Sequence, residues 1–145
     1  MNKSQQILCL SALFVAALWP GAAAASTIYT VTANTSSISG QGGYLDLQFE
    51  PGPSTVNLAT AAVSAFTTDG TLTGAATLTG DVTGQLPGIV DFDNQTVFND
   101  YFQETTFGST ETFTVTLSGP TPLGGGPSGF NISFYAGDGA TPHKR

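Results

Sequence analysis

The chain has 145 residues, with ten acidic side chains, three basic ones and a formal net charge of −7. Between residues 26 and 142 it contains no lysine, arginine, histidine or cysteine. This absence excludes a Ser-His-Asp triad, a cysteine nucleophile and a Cys/His zinc site from that region. It also excludes the basic surface that binds phosphate groups, so the sequence predicts no nucleic-acid partner.

The first 25 residues have the three-part pattern of a secretory signal peptide. A polar start with Lys3 is followed by an apolar run at residues 7–19 and by alanines at 22–25. The apolar run is shorter than the ~20 residues of a membrane-spanning helix. We therefore predict a signal peptide at 1–25 and a mature domain at 26–145 without a membrane span. The predicted location is secreted, extracellular or periplasmic.

Short stretches with period-two alternation follow, and this pattern is typical of half-buried β-strands. The stretches are residues 29–33, 44–49, 112–117 and 130–135. Segment 55–65 is rich in alanine and is compatible with a short helix, although its valine, threonine and serine residues weaken that interpretation. Residues 71–84 repeat Leu-Thr-Gly and Val-Thr-Gly, and we predict two strands with glycine turns there.

Turn signals recur at intervals of roughly 8 to 12 residues, which is typical of all-β sandwiches. Long apolar runs are missing after residue 26, and this argues against a parallel α/β sheet. We predict an all-β fold, a single antiparallel β-sandwich of jelly-roll type. Six phenylalanines are expected to fill its core: Phe98, Phe102, Phe107, Phe113, Phe130 and Phe134.

Several sequence blocks, taken in order, are similar to those of a known family. They include YTVTANTSSISG at 29–40, GYLDLQFEPGP at 43–53, LTGDVTGQLPG at 78–88 and FTVTLSGP at 113–120. This series resembles a branch of the bacterial PEP-CTERM proteins, which Gram-negative bacteria secrete and an exosortase sorts. The resemblance implies an exported domain tied to the envelope or the extracellular matrix. It supplies no catalytic or binding residues.

The C-terminal residues depart from that family's pattern. A Pro-Glu-Pro motif, an apolar segment and a basic cluster would form the sorting signal, and the sequence has none of them. The chain stops soon after a turn signal at Asp138 and Gly139, where the family continues into at least one more strand. We expect a truncated C-terminus, with a naturally short member as the alternative. A missing strand would leave an aggregation-prone sheet edge.

The sharpest acidic cluster is Asp91-Phe92-Asp93-Asn94. On a strand, Asp91 and Asp93 point to the same face, and Asn94 begins the turn. Calcium takes 6–8 oxygen ligands, which carboxylates and an amide begin to supply. We hypothesise a calcium site at Asp91, Asp93 and Asn94, with solvated edge and turn residues as the alternative. Three residues nearby in the sequence could complete such a site: Asn99, Asp100 and Glu104.

Two pairs of carboxylates are formal candidates for glycoside hydrolysis, Asp91 with Glu104 and Asp46 with Glu111. No other sequence feature supports this chemistry. The single tryptophan, Trp19, lies in the predicted signal peptide, so the mature domain lacks a tryptophan platform for sugars. We predict that the protein is not an enzyme.

Tyrosine residues provide an alternative kind of site, because tyrosine can stack on a sugar and hydrogen-bond it. Tyr44, Tyr101 and Tyr135 are candidates, unless they anchor strand ends or cover a buried face. The sequence thus predicts a secreted or cell-envelope structural or adhesive protein, with extracellular polysaccharide or other surface proteins as partners. The alternatives are a carbohydrate-binding module and a non-functional truncated fragment.

Overall fold

The computed structural model describes residues 25–51, 58–119 and 128–143. The predicted signal peptide lies outside these residues except for Ala25. Within the described residues, a short 3-10 helix, Ser36–Ile38, accompanies ten strands. The strands are β1 Ala25–Asn34, β2 Gly42–Glu50, β3 Thr60–Thr68, β4 Thr71–Leu72, β5 Thr77–Thr79, β6 Val82–Gly84, β7 Val90–Asp93, β8 Asp100–Thr106, β9 Thr110–Gly119 and β10 Gly129–Ala136.

The strands form two sheets in which all pairs are antiparallel. The first sheet has the order β1-β9-β3-β7-β6. The second has the order β10-β2-β8-β4, and β5 also pairs with β8. This arrangement confirms the predicted all-β antiparallel sandwich.

The core lies between the two sheets and consists of the alternate side chains that point inward. In β2, for example, Leu45, Leu47 and Phe49 are fully buried. The four stretches with period-two alternation all lie within strands, namely β1, β2, β9 and β10. Because one face of each strand contributes apolar side chains to the core, this pattern identified those strands correctly.

One alternative left open by the sequence is resolved, and one local expectation was wrong. The described part of the alanine-rich segment is not helical, because residues 60–65 belong to β3, whose inward residues Ala61 and Val63 are buried. β3 lies between β9 and β7, so both of its edges find backbone partners. Residues 71–84 contain three short strands instead of two, because the chain crosses from the second sheet to the first between β5 and β6.

The expected phenylalanine core is confirmed only in part. Phe107 and Phe113 are buried, and Phe130 and Phe134 are partly buried. Phe98, by contrast, is 42% exposed, and Phe102 lies on the outer face of β8. In β8 the inward positions belong to Tyr101, Gln103 and Thr105, all of which are buried.

Tyr101 holds a polar network inside the sandwich. Its hydroxyl accepts a hydrogen bond from the Leu86 backbone N–H at 2.9 Å. It donates to Oε1 of Gln103 at 3.0 Å. Nε2 of Gln103 in turn donates to the backbone oxygen of Thr73 at 2.8 Å. The network ties β8 to the connections before β5 and after β6.

We expect Tyr101→Phe to lower the free energy of unfolding by about 2 kcal/mol, because it leaves a buried N–H and a buried amide oxygen without partners. Urea unfolding measures the change. Tyr44→Phe is the matched control, since Tyr44 is partly exposed on the outer face of β2. Equal midpoints for the two variants would contradict a structural role for the buried hydroxyl.

The turn expected at Asp138 and Gly139 is present, and Asp138 closes it. Oδ1 of Asp138 accepts hydrogen bonds from the backbone N–H groups of Ala140 and Thr141, at 3.0 and 2.9 Å. These bonds, together with one from the Thr141 hydroxyl, lower the pKa of Asp138 to about 2. Pro142 then lies opposite Tyr135, so residues 141–143 return along the outer edge of β10.

Candidate functional site on the outer face of the second sheet

The outer face of the second sheet carries aromatic, acidic and amide side chains close together. These side chains point away from the core on three adjacent strands, β10, β2 and β8. They are Tyr44, Asp46, Gln48, Glu50, Asp100, Phe102, Glu104, Asn131, Ser133 and Tyr135. We call this set the outer face.

Three partly exposed rings form a row across the strands of the outer face. Tyr135 of β10 lies opposite Tyr44 of β2 in the register. The Tyr44 ring stacks on Phe102 of β8, with 4.5 Å between centroids and 13° between ring planes. Phe102 also contacts Tyr135, with centroids 6.0 Å apart. A methyl group on Gly139 would lie 3.4 Å from the Tyr44 ring, so the turn at 137–140 borders this row.

Beside the rings, Asp46 and Asp100 form a close carboxyl pair. Asp46 is only 3% exposed, although it points away from the core. Its register neighbours are Phe102 on β8 and Ser133 on β10. Nε2 of Gln48 donates to Oδ2 of Asp46 at 2.9 Å. No donor among the described residues reaches Oδ1 of Asp46 or Oδ1 of Asp100.

This environment favours the protonated form of Asp46. Burial, a hydrogen bond to Asp100 and repulsion by that carboxylate raise the pKa of Asp46 to about 8, against a smaller lowering by Gln48. The raised pKa favours the neutral Asp46 carboxyl, whose O–H can then donate to the Asp100 carboxylate. Since residues 26–142 contain no basic side chain, no ion pair within that region can replace this hydrogen bond.

Sequence reasoning placed Asp46 on the polar side of β2 but missed its burial and its partner. The alternation of β2 assigns Asp46 to a face, whereas the pairing of β2 with β8 decides that Asp100 lies beside it. The available signal was the lack of any lysine or arginine between residues 26 and 142, which obliges a buried carboxylate there to find hydrogen bonds or a cation.

The residues proposed for calcium lie in the first sheet, and the structure brings only two of them together. Asp91 and Asp93 line a surface cavity of about 460 Å³, together with Asp81. The Asp93 carboxylate accepts hydrogen bonds from the backbone N–H and from Nε2 of Gln95, both at 2.9 Å. Asn94 is buried and does not line this cavity.

The Asn94 side chain instead ties together two connecting segments. Its Oδ1 accepts from the Ala59 backbone N–H at 2.9 Å, and its Nδ2 donates to the Ser128 hydroxyl at 2.9 Å. In the described parts of the chain, no group of three His, Cys, Asp or Glu side chains has the spacing of a metal site. Calcium binding at Asp91, Asp93 and Asn94 stays a prediction.

Neither candidate pair for glycoside hydrolysis is brought together. Asp91 lies on the first sheet and Glu104 on the outer face of the second. Glu111 points inward from β9 and is fully buried, whereas Asp46 points outward. The Thr68 hydroxyl donates to Glu111 at 3.3 Å. Burial raises the pKa of Glu111 to about 7.

The interpretation of Tyr101 as a sugar-binding residue was wrong, because its ring is in the core. Tyr44 and Tyr135 do lie on the outer face, where Phe102 joins them. Sequence reasoning missed Phe102 as a surface residue because phenylalanine is a usual core residue. Alternation along β8 puts Tyr101 and Phe102 on opposite faces, but only the packing of the sheet decides which of the two points inward.

Comparison of the chain with protein-family models, curated proteins and solved structures found no match. The resemblance to PEP-CTERM proteins therefore stays a prediction. None of the helices in the described segments is long and apolar enough to cross a membrane.

Proposed function

We propose that this chain is a secreted or cell-envelope adhesive protein that binds extracellular polysaccharide, without catalysis, on the outer face. The observation that supports the proposal is the row of partly exposed rings, Tyr44, Phe102 and Tyr135, beside hydrogen-bonding side chains. Aromatic rings bind the apolar faces of sugars, and carboxylates and amides bind their hydroxyl groups. The predicted signal peptide and the family resemblance of the sequence agree with an exported protein.

The charge of the outer face indicates which polysaccharides it binds. Three carboxylates lie there beside the buried Asp46 carboxyl, namely Glu50, Asp100 and Glu104. The matching polymer is neutral or carries amino groups, because a polyuronate would be repelled at low salt. The alternative function is that of a carbohydrate-binding module, which would use the same outer face to bind sugar without an adhesive role.

Binding of neutral oligosaccharides, of amino-sugar oligosaccharides and of alginate, measured by titration calorimetry, tests the proposal. We expect a neutral or amino-sugar ligand to bind and Tyr44→Ala or Phe102→Ala to weaken it about tenfold. Tyr44→Phe keeps the ring and should keep most of the affinity.

Asp100→Asn and Asp91→Asn form a second matched pair, because one carboxylate lies on the outer face and the other on the first sheet. Only Asp100→Asn should change the affinity. The proposal fails if no sugar in the panel binds, or if ring removal leaves the affinity of a bound sugar unchanged.

A further inference from the structure

The two sides of the sandwich end in very different edge strands. On one side the edges are β6, β5 and β4, which have three, three and two residues. On the other side the edges are β1 with ten residues and β10 with eight. Among the described residues, the outer edge of β1 and the outer edge of β10 at residues 129–133 have no strand partner.

Between these two long edges the apolar interior is open. Tyr29 lies opposite Val115 in the β1–β9 register and points inward, yet it is 52% exposed whereas Val115 is 2% exposed. A groove of about 470 Å³ follows the gap between the sheets. We call this groove the seam, and its apolar lining is Tyr29, Val31, Val115, Leu117, Phe130 and Ile132.

The two strands that border the seam are uncharged, although the chain as a whole is acidic. Neither β1 nor β10 contains a charged residue, and neither contains proline. Long edges without charge or proline lack the devices that natural sheets use against edge pairing. The short edge strand β6, by contrast, directly follows Asp81.

Residues 141–143 pair with the outer edge of β10, which shows that this edge can bind an extended segment. The Ala136 backbone N–H donates to the oxygen of Thr141, and the N–H of His143 donates to the oxygen of Phe134, both at 2.8 Å. The ring of His143 meets Phe107 edge-on, with centroids 5.7 Å apart. Backbone pairing and side-chain packing thus already cover the Phe134 end, and the end at Phe130 and Ile132 is still open.

We propose that a second copy of this chain covers the seam in a twofold dimer. The edges of each copy then meet the edges of the other, so that both grooves and both sets of free backbone groups are covered at once. The acidic surfaces of two copies repel each other, and the uncharged seam is where they approach at least electrostatic cost.

The whole side of the sandwich that carries the seam, including residues 141–143, is large enough for a stable dimer. A ten-residue strand is about 34 Å long, and two stacked sheets with their side chains are roughly 20 Å thick, which gives a footprint of about 700 Å². Standard interfaces bury about 800 Å² on each partner. The proposal concerns the edges of the sandwich and does not depend on sugar binding by the outer face.

Sedimentation equilibrium of the purified chain at micromolar concentrations tests the proposal, with two adjacent substitutions on β1. We expect a dimer that Tyr29→Lys, which places a charge in the seam, weakens at least tenfold. Ile28→Lys is the matched control, because Ile28 is 68% exposed and points to the opposite face of the same strand. It should leave the dissociation constant within about twofold of wild type. Added salt should strengthen the wild-type dimer by screening the acidic surfaces.

A single-cysteine variant gives a second readout if Tyr29→Lys does not fold. Cys9, in the predicted signal peptide, is the only cysteine of the chain, so a cysteine-free Cys9→Ser background is available. Thr30→Cys should cross-link into a dimer with a bismaleimide, whereas Asp91→Cys on the first sheet should not. A monomer at every concentration, open-ended assemblies, or equal weakening by the Ile28 and Tyr29 variants would overturn the proposal.

Discussion

We expect the melting temperature of this protein to fall by roughly 10 °C or more between pH 5 and pH 9. The pKa of Asp46 is raised from 3.8 to about 8, and the pKa of Glu111 is raised from 4.5 to about 7. The folded protein therefore holds protons that the unfolded chain releases. Their stabilising effect is complete below the unfolded pKa values and is lost as the pH rises through about 7 and then about 8.

The size of the effect follows from about 1.4 kcal/mol for each unit of pKa difference. Two buried carboxyls with shifts of this size together contribute on the order of 3 kcal/mol after allowance for solvent screening. Asp69 and Asp138 have lowered pKa values and act in the opposite direction. Their contribution is lost only below their unfolded pKa of 3.8, outside this pH range.

The variant Asp46→Asn tests how much the pair of Asp46 and Asp100 contributes to the pH dependence of stability. The asparagine oxygen can accept from Gln48, and its amide can donate to Asp100 in place of the Asp46 O–H. We expect the variant to match wild type at pH 5 and to melt at a higher temperature at pH 9, as measured by circular dichroism. Asp91→Asn, at an exposed carboxylate, should leave the pH dependence unchanged. A flat wild-type profile, or an unchanged slope in Asp46→Asn, would contradict protonation of Asp46 beside Asp100.

The second large effect is expected at Asn99, the fully buried residue that immediately precedes β8. Its Nδ2 donates to the backbone oxygens of Phe49 and Thr96, at 2.9 and 3.0 Å. Its Oδ1 accepts from the Asp81 backbone N–H at 2.8 Å and also from the Thr96 hydroxyl. One amide thus holds the end of β2, the loop before β8 and the turn before β6.

Asn99→Ala should lower the free energy of unfolding by about 4 kcal/mol, because several buried polar groups lose their partner and a cavity forms. Urea unfolding measures the loss. Asn131→Ala, at an exposed position of β10, should change stability by less than about 0.5 kcal/mol. A loss at Asn99 below about 1 kcal/mol would show that water or the loop itself replaces the amide.

Asn99 also shows that the partners of a buried polar residue could not be predicted from the sequence. Its position near Asp100 and Glu104 suggested a metal ligand, because oxygen donors that are close in sequence are the visible pattern. The structure uses its amide to bind backbone groups from segments about 20 and 50 residues away in the sequence. Such partners are set by long-range pairing of strands, which has no local signature.

The sequence by itself determined the all-β class, the inward and outward sides of β1, β2, β9 and β10, and the absence of basic side chains from residues 26–142. These properties are local, because a period of two and a turn signal act over a few residues. Tertiary structure alone decided that Asp46 is buried beside Asp100, that Tyr101 lies inside and Phe102 outside, and that β1 and β10 border an open seam. Each of these depends on which strands become neighbours, and that choice comes from the packing of two whole sheets around one core.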